Sequence, residues 1–89
     1  MQVLAEINTI QDLHAALRAR REAIRCTFEN LDDISGVADG YSAKLLTPEP
    51  MKNFGPVSFP AVPTALGTKV LLVVDEDAER RFVKSERWA

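Results

Sequence analysis

The chain is poor in the residues that announce chemistry. Its 89 residues contain one cysteine (Cys26), one histidine (His14) and four glycines. A lone cysteine excludes an intrachain disulfide and fits a reducing, cytoplasmic setting. His14 has no Cys/His set around it, so no metal centre is expected. The dispersed glycines form no phosphate-cradling loop. Ser42 and His14 belong to no nucleophile motif, and no paired catalytic groups are visible, so neither an enzyme nor a cofactor is indicated. Positive charge is not in excess either. Eleven Lys and Arg stand against 13 Asp and Glu, a net charge of −2. That excludes a general nucleic-acid coat but leaves room for a local basic face. No apolar run approaches the ~20 residues of a membrane span. The opening Met-Gln-Val-Leu-Ala-Glu-Ile-Asn lacks the basic stretch of a signal peptide.

What is present is ordinary for a globular protein: 46% hydrophobic and 27% charged residues, which excludes a wholly disordered chain. The length predicts a single domain, residues 1–89, for which a folded monomer is marginal and a second subunit would add stability. Residues 2–7 have the composition of a short strand. Asn8 or Thr9, with Gln11 or Asp12 three residues on, offers a capping box for a helix over 10–25. Leu13, Leu17 and Ile24 share one face of that helix, with Ala16 beside them. Arg18, Arg20, Arg21 and Arg25 crowd its second half and read either as a solvated face or as a backbone contact to a polyanion. Cys26 reads as a core residue.

Thr27 is a good N-cap for a second helix over 28–35, with Leu31 and Ile34 facing inward. Gly36 falls where a left-handed residue closes a helix, and Val37 plugs the turn. A third helix over 38–46 follows, with Asp39 as a plausible cap and Leu45 as its main anchor. Residues 47–57 are a proline-punctuated loop. Ser58 can cap a short helix over 59–66, which Pro63 strains and Gly67 ends.

Two short helices joined at Gly36 must cross steeply, which leaves the second one standing out from the body, able to enter a major groove. On these residues the chain resembles the DNA-binding domains of the phage repressor/Cro type, the XRE-family regulators. The resemblance covers residues 13–67. It is carried by the Arg-rich end of helix 1, the Leu31…Gly36-Val37…Leu45 frame and the Ser58…Leu66-Gly67 helix. It implies an all-α, lambda-repressor-like fold of four or five helices, with the helix-turn-helix at 27–46 inside a core of 9–67. It also implies sequence-specific binding of double-stranded DNA, and repression by occupying an operator.

Carried over by position, Thr27 and Phe28 would grip phosphate at the start of helix 2. Asp39, Gly40, Tyr41, Ser42 and Lys44 would face the groove. Lys44 would bond guanine O6 or N7, and Tyr41 would touch a thymine methyl or a phosphate. Lys52 and Asn53 would contact backbone. Two positions depart from the pattern. Phe28 stands where such proteins often have Gln, and Leu46 stands where many have an acid that pairs with the arginine matching Arg21.

Residues 69–74, Lys-Val-Leu-Leu-Val-Val, read as a strand rather than a helix segment, since Gly67 precedes and Asp75 follows. Such a strand needs a partner: residues 2–7, or a second copy across a homodimer axis. Residues 76–87 are polar and form a terminal helix or fray. The resemblance extends to small antitoxins of this type. The rival function is therefore an antitoxin or other protein-interaction module that binds a toxin partner through the apolar strand and acidic tail.

Overall fold

Thr9 opens the first helix as the capping box predicts. In the computed structural model, which describes residues 1–83, Thr9 Oγ1 accepts the Asp12 amide (3.1 Å), while Asp12 Oδ2 accepts the amides of Thr9 (3.1 Å) and Asn8 (2.9 Å). These bonds satisfy donors that a helix start leaves without partners. They also hold the Asp12 carboxyl below its ordinary pKa, the Asn8 amide contributing most.

Five helices follow in order: α1 (Ile10–Ala23), α2 (Phe28–Ser35), α3 (Tyr41–Leu45), α4 (Ser58–Ala65) and α5 (Glu76–Val83). The chain is mainly helical, and no strand occurs among the described residues. The strands expected over 2–7 and 69–74 do not form. Both segments are exposed, and among the described residues no main-chain hydrogen bond joins them to each other or to another segment. Residues 84–87 of the expected terminal helix lie outside the described residues.

One apolar cluster holds α1 to α4 together. Leu13 and Leu17 of α1 meet Leu31 of α2, Leu45 and Leu46 around the end of α3, and Val62 and Leu66 around α4. Each is buried, and each such side chain contributes about 1.5–3 kcal/mol by leaving water. Cys26, Phe28, Val37, Tyr41 and Phe54 pack half-buried around it. α2 packs against both α3 and α4.

Two expected core residues are outside. Ile24 is exposed because α1 ends one residue before it, and Arg25 then takes a left-handed backbone (φ 57°) that turns the chain away. Ile34 is 64% exposed. It borders a shallow groove with Pro60, Ala61, Thr64 and Ala65 of α4 rather than entering the cluster.

The α1 arginines resolve differently from either expectation. Arg18 Nη1 donates to the Thr47 carbonyl (3.2 Å), Arg20 Nε to the Leu66 carbonyl (3.0 Å) and Arg21 Nη1 to the Cys26 carbonyl (2.8 Å). Three guanidinium groups thus bind carbonyls beyond the ends of α3, α4 and α1, where helices leave acceptors free. They act as internal ties, and all three side chains are half-buried.

α4 begins at Ser58, with Val57 before it and no side-chain cap. Ser58 Oγ instead accepts the Gly55 amide (2.8 Å), folding the loop back on the helix start. Pro63 is accommodated inside α4. Its carbonyl accepts the amides of Leu66 (3.1 Å) and Thr68 (2.9 Å) and the Thr68 hydroxyl (2.8 Å), which pins the chain as it leaves the body.

Candidate nucleic-acid interface

The helix pair α2–α3 is built by short-range caps and by two ties from elsewhere, Asp32 at the start of α3 and His14 at its end. Thr27 caps α2, its hydroxyl accepting the Asn30 amide (3.1 Å). Gly36 closes α2 in the left-handed region (φ 74°), a conformation that costs glycine nothing, and its amide bonds the Asp32 carbonyl (2.9 Å). Val37 is half-buried in the turn and packs on the core, as expected.

The third helix departs from expectation in length and in its cap. It is one turn, Tyr41–Leu45, rather than 38–46. Gly40 (φ 83°) precedes it, and that backbone cannot continue a right-handed helix. Asp39 does not cap it. Asp32, reaching across from α2, does: Oδ2 accepts the Gly40 amide (2.8 Å) and Oδ1 the Ser42 amide (2.9 Å). Asp32 is buried. Burial alone would push its carboxyl up, but the Ser42 side chain and the amides of Ser42 and Gly40 outweigh that and bring it below the ordinary carboxylate value. The Ser42 hydroxyl falls short of a well-formed hydrogen bond, and its contribution is proximity to that charge.

His14 secures the far end of α3. Its Nδ1 donates to the Leu45 carbonyl (2.8 Å), its Nε2 lies 3.4 Å from Asn53 Oδ1, and its ring packs on Phe54 at 4.7 Å between centroids. A carbonyl only accepts, so Nδ1 carries a proton. A relay then crosses the loop: the Gly55 amide donates to Ser58 Oγ, which lies 3.0 Å from the Tyr41 hydroxyl, which donates to the Asn53 carbonyl (2.8 Å).

The expected site residues separate into three groups. Asp39, Gly40 and Lys44 are exposed at α3, and Lys52 is exposed in the following loop. The Met51 amide bonds the Lys44 carbonyl (2.9 Å), which brings that loop beside α3. Thr27 is exposed at the start of α2, with its hydroxyl committed to the cap.

The second group is turned to the protein itself. Ser42 is fully buried, so it cannot face a groove. Tyr41 is half-buried, its hydroxyl spent on Asn53 and Ser58, and Asn53 is exposed with both its oxygens engaged inside the loop.

Phe28 is the third case. It is half-buried, and the Arg21 guanidinium stacks over its ring at 4.0 Å from the centroid, so its face is taken by a cation of the protein itself. Leu46 is buried in the core. Sequence reasoning also missed Asp32 and His14. The available signal was an acid next to buried Leu31 and a histidine next to buried Leu13.

The described residues therefore define a small all-helical domain with a short, clamped helix pair at its surface. None of their helices is long and apolar enough to cross a membrane, and among them no group of three or more His, Cys, Asp or Glu side chains is placed to hold a metal ion. Compared with known proteins, the chain matches no family model, no curated protein and no solved structure.

Proposed function

We propose that this chain is a sequence-specific, duplex-DNA-binding transcriptional regulator of the repressor/Cro kind, which acts in the cytoplasm by occupying an operator. One observation carries the reading. α3 is a single turn joined to α2 across left-handed Gly36 and clamped by Asp32, so that Asp39, Gly40 and Lys44 stay outside while Ser42, Leu45 and Leu46 are buried. That is the arrangement a groove-reading element needs: a fixed backbone behind and free side chains in front. The lambda-repressor-like topology belongs to the same proposal.

Lys44 is the base-reading residue, through guanine O6 or N7. Lys52 and the start of α2 at Thr27 contact phosphates, and affinity falls with salt as counterions are released. Selection of bound sequences from random duplex DNA tests the reading: a reproducible consensus is expected, and a selection that returns none removes it. On the selected site Lys44→Ala costs about 1–3 kcal/mol and relaxes preference at one position. Unchanged affinity and unchanged preference would take Lys44 out of that role.

A further inference from the structure

We propose that Lys69–Asp75 is a self-association strand, which pairs antiparallel with the same segment of a second copy about a two-fold axis through Leu72. This inference is independent of the DNA-binding reading.

The segment is tied to the body at one end, runs into the start of α5 at the other, and is empty between them. Thr68 is tied to the Pro63 carbonyl through its amide and hydroxyl. Asp75 starts α5, its carboxylate accepting the Ala78 amide (3.0 Å) and its carbonyl the Glu79 amide (2.9 Å). Between them, no main-chain group of 69–74 takes a hydrogen bond among the described residues. Val70, Leu71, Leu72, Val73 and Val74 are all exposed, Leu72 completely. Single exposed apolar residues are normal on a monomer, but a continuous run of this kind marks an interaction site. The composition, three valines and two leucines, suits a strand, and a strand's unpaired amides and carbonyls are a template for another chain.

Charge selects the occupant and the direction. Lys69 stands at one end of the run and Asp75 at the other. Antiparallel pairing centred on Leu72 sets Lys69 opposite Asp75 of the second copy, and Asp75 opposite its Lys69. Val70 then faces Val74, Leu71 faces Val73, and Leu72 meets its own counterpart. Parallel pairing would oppose Lys69 to Lys69 and Asp75 to Asp75, which is destabilising. The segment is thus complementary to itself in one direction only, as a two-fold contact requires. Val70, Leu72 and Val74 share one face of the ribbon, leaving the charged pairs on the other.

Sedimentation velocity of the full chain without DNA, over a wide micromolar range, tests the pairing. A concentration-dependent dimer is expected. Lys69→Glu and Asp75→Lys each set like charges opposite one another twice, and each weakens the dimer by about three- to thirtyfold. The double variant recovers to within about threefold, because the pair is reversed rather than removed. Circular dichroism separates loss of the α5 start in Asp75→Lys from loss of the pair. In a Cys26→Ser background, Leu72→Cys closes a disulfide-linked dimer under mild oxidation, since facing strand positions lie within disulfide reach. A chain that stays monomeric overturns the proposal. So does a dimer indifferent to the charge swaps, or association that requires a second, different protein such as a toxin.

Discussion

The dipeptide Leu-Leu occurs twice in this chain, with opposite fates. Leu45-Leu46 is buried in the centre of the core, whereas Leu71 is half exposed and Leu72 wholly so. Hydrophobicity cannot distinguish the two. The surroundings can. Leu45-Leu46 closes a helix whose start is clamped by Asp32, whose end is bonded by His14, and whose following carbonyl at Thr47 is bonded by Arg18. The Leu46 amide is bonded too, to the Ser42 carbonyl (2.9 Å). Leu71-Leu72 lies in a segment whose main-chain groups have no partner within the described residues. Burial of apolar side chains takes the backbone with them, and a backbone without partners is held at the surface.

The sharpest way to break this contrast is at its buried half. Leu45→Ala leaves a cavity and lowers unfolding free energy by about 2–5 kcal/mol in chemical denaturation. Asp32→Ala comes next, at about 2–4 kcal/mol, because it strands the buried Ser42 amide as well as removing two charge-assisted bonds. Its pH signature is specific. The folded carboxyl titrates below its ordinary value of 3.8, so its contribution is complete above that value and is lost as pH falls through the lower folded value. Acid unfolding below about pH 4 should therefore lose this component in Asp32→Asn. A smaller gain is expected at Arg25, the left-handed non-glycine residue: Arg25→Gly stabilises by about 0.5–1 kcal/mol, read as a higher denaturation midpoint. The exposed half is last. Leu72→Ser, measured at concentrations too low for copies to associate, changes stability by less than about 0.5 kcal/mol. A loss comparable to that of Leu45→Ala would show that the two dipeptides are not different after all.

Much of the helical frame was legible because its signals are local. Thr9 with Asp12, Thr27 three residues before Asn30, and Gly36 in the left-handed region each act within one turn, and α2 has the expected bounds. What local pattern could not show was partnership. Periodicity places Ile24 and Ile34 on apolar faces, but says nothing of whether another helix comes to meet them. The strand composition of 69–74 was plain, yet a strand exists only when paired. α3 is shorter than its pattern because Asp32, on another helix, caps it after Gly40 has broken the turn. The proposed interface residues divided in the same way. Lys44 and Lys52 are exposed, while Tyr41, Ser42 and Phe28 are engaged by Ser58, Asp32 and Arg21, partners on other elements.

The Asp32 clamp has one more consequence. Since the orientation of α3 is fixed from behind, positions such as Ala38, Asp39 and Lys44, all exposed, carry none of the fold's side-chain packing. A library that randomises those three and keeps Asp32, Gly36, Gly40 and Leu45 should consist mostly of well-folded members, so that the proposed DNA preference can be varied without first re-engineering the protein beneath it.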